Sequence, residues 1–388
     1  MASSNTDIQL LRCGVEFFPA LINAINEARH EVFLETYIFF DDSTGEKVAT
    51  ALAQASQRGV ATHLIIDGFG SKEYPRTKLD ALKQAGVQLL IYRPSFLNFR
   101  FLKTGLRRLH RKLAVIDKQI AFVGGINIHD DFAPGYQRPR YDFAVAVRGA
   151  VVADVLNAVT HLWWLVSWSQ LKSRYARRSA LWKTAASVLP SSNLAAGLIL
   201  RDNLRNRHTI ETAYLEAIQN ATERIIIANA YFLPGKKLLQ ALMEAAGRGV
   251  SVKLLLQGRV EYFLQHHASQ YLYGKLIDSG VEIYLYNPAI LHAKVAVIDS
   301  RWVTVGSSNM DPFSLQLARE ANIVAEDAAL AKALADDLLA AIQADSSRIT
   351  VEAWHSTPLH KRLLMRVCYS VLRFTQQLVA PKRSPLVR

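Results

Sequence analysis

The sequence predicts an α/β protein of two lobes, each a tandem α/β/α repeat built on a mixed, mostly parallel sheet. Three observations carry that expectation. The chain has 388 residues, too many for one ordinary core and comfortable for two. Four stretches recur in the same order in its two halves, as in a duplicated fold. Within each half, short apolar runs bounded by Gly turns alternate with helical segments, the pattern of strands joined by crossover helices that cover both sheet faces.

The first repeated stretch is AINEARHEVFLETYIF, ending at Phe39, answered by AIQNATERIIIANAYF, ending at Phe232. Each reads as the end of a helix running into a buried strand. QRGVATHLIIDG is matched by GRGVSVKLLLQG, an apolar strand after a Gly turn, ending at Gly68 or Gly258. AGVQLLIYRP pairs with SGVEIYLYNP, and LHRKLAVIDKQIAFVGGIN with LHAKVAVIDSRWVTVGSSN. The expected layout is a first lobe over residues 1–165, a linker over 166–197, a second lobe over 198–345 and a basic amphipathic tail over 346–388. The stretch from Trp163 to Gly197, WWLVSWSQLKSRYARRSALWKTAASVLPSSNLAAG, which contains the linker, has no counterpart inside either repeat and carries Lys172, Arg174, Arg177, Arg178 and Lys183.

Half of the residues are hydrophobic and 20% are charged, which excludes a disordered chain. The formal charge of +13 calls for a partner bearing negative charge, either nucleic acid or anionic lipid. Cys13 and Cys368 stand near opposite ends, so neither a disulfide framework nor a metal knot is expected. The opening MASSNTDIQLL lacks the basic stretch and apolar block of a secretory signal, so export is not expected. GAVVADVLNAVTHLWWLVSW, from Gly149, is apolar but interrupted by Asp154, Asn157 and His161, which suits a packed helix better than a membrane span.

Chemistry concentrates in the fourth repeat. His110 and Lys112 lie two apart on a predicted strand, as do His292 and Lys294, so each pair shares one strand face. A histidine offers a nucleophile or proton carrier near neutral pH, and lysine and asparagine offer donors for phosphate oxygens. Asp117, Gly124, Gly125 and Asn127 follow the first pair; Asp299, Gly306, Ser307 and Asn309 follow the second at identical spacing. This doubled H-x-K-x(4)-D-x(6)-G-[GS]-x-N pattern resembles the signature of the phospholipase D superfamily. The likeness covers roughly residues 8 to 345, and LETYIFFDD, IANAYFLPG and VGSSNMDPFSL resemble bacterial cardiolipin synthases that lack N-terminal membrane helices.

The resemblance implies one active site at the interface between the lobes, where both motifs meet around a single phosphate. It implies that His110 attacks phosphorus to form a phosphohistidine, and that His292 protonates the departing alcohol and later deprotonates the incoming one. Lys112, Lys294, Asn127 and Asn309 then stabilise the phosphoryl oxygens, with Gly125 and Ser307 close by. No cofactor or metal is expected. Asp142 and Glu320, on the apolar strands after each motif, are the candidates to orient the histidines; the alternative for each is a surface salt bridge. Asp117 and Asp299 are carried with the catalytic signature, although a strand end also suits them to organising a turn. Of the remaining histidines, only His266 or His267 is a candidate substrate contact.

The same motif serves nucleases and hydrolytic phospholipases, so the substrate needs separate reasons. SFLNFRFLKTGLRRL, between Pro94 and His110, has no counterpart before His292; it mixes Phe96, Leu97, Phe99, Phe101 and Leu102 with Arg100, Lys103, Arg107 and Arg108. Such a mixture suits an anionic bilayer surface, and stacking on single-stranded bases is the rival. From Leu359 to Arg388 the tail holds seven basic residues, Lys361, Arg362, Arg366, Arg373, Lys382, Arg383 and Arg388, and no acid. It is expected either to lie on a membrane or to dock on the protein's own core. The expected function is cardiolipin synthesis from two phosphatidylglycerols with glycerol released, on the cytoplasmic face of the inner membrane as a peripheral protein; hydrolysis or a metal-independent phosphodiesterase or nuclease activity is the alternative. Phosphatidylglycerol, cardiolipin and the membrane surface are the expected partners, and nucleic acid is not.

Overall fold

The computed structural model describes residues 6–93, 108–170, 196–202, 206–311 and 318–379. The insertion residues Phe96 to Arg107, the linker lysines and arginines from Lys172 to Lys183, and the tail residues Lys382, Arg383 and Arg388 lie outside the described residues.

Each half builds one sheet. The first contains β1 (Asp7–Arg12), β2 (Glu31–Thr36), β3 (Ala61–Asp67), β4 (Gln88–Tyr92), β5 (Lys112–Ile116), β6 (Ile120–Gly124) and β7 (Phe143–Arg148), in the order β1-β7-β6-β5-β2-β3-β4. The second contains β8 (Ala196–Arg201), β9 (Arg224–Asn229), β10 (Ser251–Gln257), β11 (Glu282–Tyr286), β12 (Lys294–Ile298), β13 (Trp302–Gly306), β14 (Glu320–Glu326) and β15 (Ser346–Arg348), in the order β15-β11-β10-β9-β12-β13-β14-β8. Apart from β15, the two orders are the same. β5 and β12, KLAVI and KVAVI, are buried along their whole length, which is why they read as continuous rather than alternating apolar runs.

Both sheets are mixed, as expected, but the parallel share is smaller than the sequence suggested. Among the named strands of the described residues, β2–β3–β4 and β9–β10–β11 pair in parallel and the other strand pairs are antiparallel. The physical reason lies in the motif itself. Ile116 pairs with Ile120, leaving a three-residue turn that can only reverse the chain, and Asp117 and Lys118 adopt the left-handed backbone of such turns, with φ of 51° and 59°.

Helices α1 (Cys13–Glu27), α2 (Ser43–Gln57) and α3 (Arg76–Gln84) cover the outer face of the first sheet; α5 (Thr209–Gln219), α6 (Lys236–Gly247), α7 (Phe263–Gln270) and α8 (Tyr273–Asp278) belong to the outer side of the second. Asp42 caps α2 by accepting from the Gly45 amide, replacing a partner that a helix start otherwise lacks. Between the sheets lie α4 (Val151–Ser169) and α9 (Ala328–Asp345), and one continuous core joins Val115, Val123 and Val145 of the first lobe to Val295, Val305 and Ile323 of the second. Helix α4 is long and apolar enough by composition to cross a membrane, yet Val155, Val159, Leu162 and Val166 are buried in this core. The chain ends in α10 (Val351–His355) and α11 (Leu359–Val379). Met365, Cys368 and Leu372 of α11 are buried, the last two against Ala268 and Leu272 beside α7, while Leu363, Val367, Val371 and Phe374 remain exposed along another side.

Candidate active site

The two motif strands end facing each other across the seam between the lobes. Short bridges stitch the seam: Leu109 pairs with Arg319, and Tyr141 with Leu291. The His110 amide donates to the Arg319 carbonyl at 3.0 Å and the His292 amide to the Tyr141 carbonyl at 2.9 Å. Each histidine is thus pinned by backbone from the opposite lobe. The side chains repeat the exchange. His110 Nδ1 lies 3.0 and 3.1 Å from the two carboxylate oxygens of Glu320, and His292 Nδ1 lies 2.6 Å from Asp142 Oδ2. A carboxylate can only accept, so Nδ1 carries the proton in both rings and the Nε2 lone pair is left for the cleft.

Burial shapes the electrostatics. The histidine side chains keep 15% and 16% exposure, enough for a substrate to reach one ring edge. Lys112 Nζ donates to the His110 carbonyl at 2.6 Å, and Lys294 Nζ to the His292 carbonyl. Burial disfavours the ammonium and pulls Lys112 down to about 7 and Lys294 to about 8. The same loss of water, helped by the lysine charges, lowers both histidines, His292 furthest, although Glu320 pulls His110 back. Asp142 is raised to about 6 by burial against the opposing pull of Lys294.

The two carboxylates are seated differently. Glu320 accepts from the Ser307 hydroxyl at 2.5 Å and sits opposite Arg201 in the β14–β8 register. Arg201 is fully buried, donates to the Ala318 carbonyl and, despite being lowered to about 10 by burial, has Glu320 as its main favourable charge neighbour. Asp142 has no such cation at the equivalent place; its other oxygen accepts from the Phe143 amide at 2.8 Å. Gly125 stands where Ser307 stands in the second lobe, and a Cβ there would lie 2.4 Å from Asp142 Oδ1. The glycine is therefore required by the close approach of the carboxylate.

Of the residues singled out in the sequence, the structure gathers His110, Lys112, His292, Lys294, Asp142, Glu320, Gly125 and Ser307, with Asn127 and Asn309 buried on the turns behind them. Asn127 Oδ1 accepts from the Ile38 amide at 3.3 Å. Asp117 and Asp299 are not brought to the cleft. Asp117 is five residues along the strand from Lys112, roughly 16 Å at the usual strand rise. It accepts from the amides of Arg29, His30 and Glu31 at 2.8, 2.8 and 2.9 Å, and Asp299 accepts from Thr222, Glu223 and Arg224. Burial raises both carboxyls, but these backbone donors outweigh it and hold them below their ordinary value. They organise the turns that start β2 and β9, the turn-organising role that their strand-end position allows, and not a place in the cleft.

Sequence reasoning passed over three neighbours. Tyr37 stacks obliquely on His110 at 5.0 Å between ring centroids, with Lys112 Nζ 5.5 Å from the same ring. His129 is close enough to Asp142 to stabilise its charge. Arg201 is the third, and only its apolar strand, AGLILR, with one cation at the end hinted at it. Among the described residues no group of three or more His, Cys, Asp or Glu is placed to hold a metal ion.

A duplicated H-x-K motif sharing one interlobar cleft defines a phospholipase D-type enzyme. The profile of the family described as "Cardiolipin synthase, PLD-like domain" matches twice, over residues 21–163 and 214–341. Cardiolipin synthase B of Salmonella typhimurium is 38% identical over 95% of this chain and 86% of its own length, and the Escherichia coli protein of the same name is 36% identical with the same coverage. Among solved structures, phosphatidylserine synthase of Haemophilus influenzae superposes with a TM-score of 0.71 at 13% identity, covering 96% of this chain and 94% of that one. The chain belongs to the phospholipase D-like cardiolipin synthase family, whose members are phosphatidyltransferases.

Proposed function

We propose that the protein transfers a phosphatidyl group from one phosphatidylglycerol to a second, releasing glycerol and making cardiolipin at a membrane surface. The observation that carries this reading is the crossed pairing, which presents two carboxylate-held imidazoles and two buried lysines to one cleft. In the first half-reaction His110 Nε2 bonds to phosphorus while the bond to the glycerol oxygen breaks, and His292 Nε2–H gives that oxygen its proton. In the second, a hydroxyl of the acceptor passes its proton to His292 as its oxygen displaces His110. The lysines receive the charge on the nonbridging oxygens. An arriving phosphodiester anion also offsets the lysine charges, which favours protonation of His292 when substrate is bound.

The seating of the carboxylates supports His110 as nucleophile. Glu320 faces Arg201, accepts from Ser307 and orients His110 through Nδ1, a more heavily supported seat than that of Asp142. The exposed apolar side of α11, flanked by Lys361, Arg362, Arg366 and Arg373, supports peripheral attachment to an anionic surface, and we place it on the cytoplasmic face. We read residues 1–165 and 198–345 as the two catalytic lobes, 166–197 as the linker and 346–388 as the attachment tail.

Mass spectrometry of lipids after incubation with phosphatidylglycerol vesicles tests the activity. Cardiolipin and glycerol are expected; phosphatidic acid as the main product would identify a hydrolase instead. A lipid phosphodiester with a p-nitrophenyl leaving group tests the roles, because that group departs without a proton. His292→Ala should keep a burst of p-nitrophenol and His110→Ala should lose it; the reverse pattern exchanges the two roles.

A further inference from the structure

The two lobes surround their histidines differently. Strand register aligns them residue by residue: Glu35 lies opposite Leu113 and Ala228 opposite Val295, so Tyr37 and Ala230, two positions on, correspond. Where Tyr37 places a ring beside His110, Ala230 offers only a methyl group. Thr36 lies opposite Ile66 and Asn229 opposite Leu256, so Asp67 and Gln257 also correspond. Both accept from the leucine that precedes the motif histidine, Leu109 at 2.8 Å and Leu291 at 3.2 Å. Asp67 commits its other oxygen to the amides of Phe69 and Gly70. Gln257 is only 7% exposed, and its Nε2 is buried without a protein partner.

A pocket opens on this side, lined by Ala230, Gln257, Tyr231, Glu261, Tyr262 and His266. Its place beside His292 follows from the Leu291 bond to Gln257 and from the Ala230 amide, which donates to the Ala293 carbonyl at 3.0 Å. Glu261 accepts from the Tyr231 hydroxyl at 3.0 Å and lies near enough to Lys294 to favour its charge. The lining combines an unspent buried amide donor with a carboxylate acceptor, phenol and imidazole groups that can serve either way, and the Arg259 guanidinium, whose Nε donates to the Asn287 carbonyl at 2.7 Å and whose charge further disfavours a cationic headgroup. A vicinal diol satisfies both ends, donating to Glu261 and accepting from Gln257. An ammonium headgroup could pair with Glu261 but would leave the Gln257 donor unmet, at the cost of a buried unsatisfied polar group.

We propose that this pocket recognises the glycerol headgroup, holding the departing glycerol beside His292 and then the headgroup of the acceptor lipid. The assignment rests on the reading of His292 as the proton donor to the leaving alcohol. It makes Gln257, Glu261 and the small Ala230 specificity determinants that select a polyol over a plain alcohol or an amine. Sites built to hydrogen-bond a substrate hydroxyl discriminate strongly against analogues lacking it.

The test uses the full chain with vesicles containing either phosphatidylglycerol or phosphatidylethanol, which share acyl chains and charge and differ in the diol. The measured quantity is the ratio of kcat/KM for donor consumption, with phosphatidylethanolamine as a third donor. Wild type is expected to prefer phosphatidylglycerol. Gln257→Glu, which keeps the acceptor for Leu291 and removes the donor, Glu261→Gln, and Ala230→Tyr, which fills the pocket, should each reduce that preference at least tenfold. Glu261 is exposed, so its neutralisation reads out without endangering the fold. A wild type that releases no glycerol overturns the transfer reading and the pocket with it. Glycerol release with an unchanged preference in Glu261→Gln and Gln257→Glu, or a wild-type preference for the ethanolamine lipid, overturns the pocket alone.

Discussion

Removing an ammonium from water is costly, and Lys112 and Lys294 are 5% and 0% exposed. Their folded pKa values of about 7 and about 8 fall below the ordinary lysine value. Between those values and about 10.4 the unfolded chain binds more protons than the folded one. Stability of the ligand-free protein should therefore rise from pH 7 to pH 10 through these two groups, and Lys112→Met should flatten part of that rise in urea titrations while raising stability at pH 7. Activity moves the other way. Because phosphate binding needs the charged lysines and attack needs neutral His110, kcat/KM should decline above about pH 7, where Lys112 begins to lose its proton, and again as pH falls below the ordinary histidine range. A rate that keeps climbing to pH 9.5 would contradict the lysine assignment. A second buried charge has an internal control. Arg111 forms a two-point ion pair with Glu35 at 2.6 and 3.0 Å and donates to the Ala158 carbonyl; the equivalent positions in the second lobe are Ala293 and Ala228. Breaking the pair with Glu35→Ala should cost about 3–5 kcal/mol, and removing both partners together should cost less than the sum of the single changes. Additive losses in a double-mutant cycle would argue against coupling.

At the element scale, helix α11 docks one face on the enzyme and leaves another exposed, where its sequence allowed either a membrane or the protein's own core. Periodicity revealed an amphipathic helix with basic residues, but one helix can satisfy two neighbours. Met365, Cys368 and Leu372 are spent on the enzyme, whereas Leu363, Val367, Val371 and Phe374 form an exposed stripe. Deleting the tail would therefore uncover Leu272 and Ala268 and mix two effects. Replacing the four stripe residues with Gln or Ser leaves the docked face alone. Each apolar side chain buried in an interface contributes about 1.5–3 kcal/mol, so vesicle partitioning should weaken by several orders of magnitude with little change in melting temperature. High salt, which screens only the basic residues, should weaken binding less. Sedimentation with phosphatidylglycerol vesicles checks both, and equal cosedimentation of the variant would move the contact elsewhere on the surface.

At the scale of the whole molecule the lobes exchange contacts at the histidines. Glu320 of the second lobe holds His110 of the first, and Asp142 of the first holds His292 of the second. Neutral substitutions should therefore fail in the pattern of the histidine across the seam. Glu320→Gln should lose the p-nitrophenol burst as His110→Ala does, and Asp142→Asn should spare the burst but slow release of an ordinary alcohol by about 10²–10⁴. A burst lost in Asp142→Asn and kept in Glu320→Gln would mean that each acid serves its own lobe.

The sequence by itself determined the chemistry and its doubling. Histidine and lysine two apart on a strand share a face because side chains alternate with period two, and Asp117 and Asp299 occupy turns whose geometry is set within a few residues. Strand and helix periodicities were legible for the same local reason. The antiparallel majority was also written locally, in the three-residue turn between Ile116 and Ile120, a signal that α/β alternation overshadowed. Only the tertiary structure decided which carboxylate orients which histidine, since His110 and Glu320 are 210 residues apart. It alone placed Arg201 beside Glu320 and opened a pocket where Tyr37 has its counterpart in Ala230. These depend on how two sheets dock and on what burial does to charge, and neither is encoded in residue spacing along one strand.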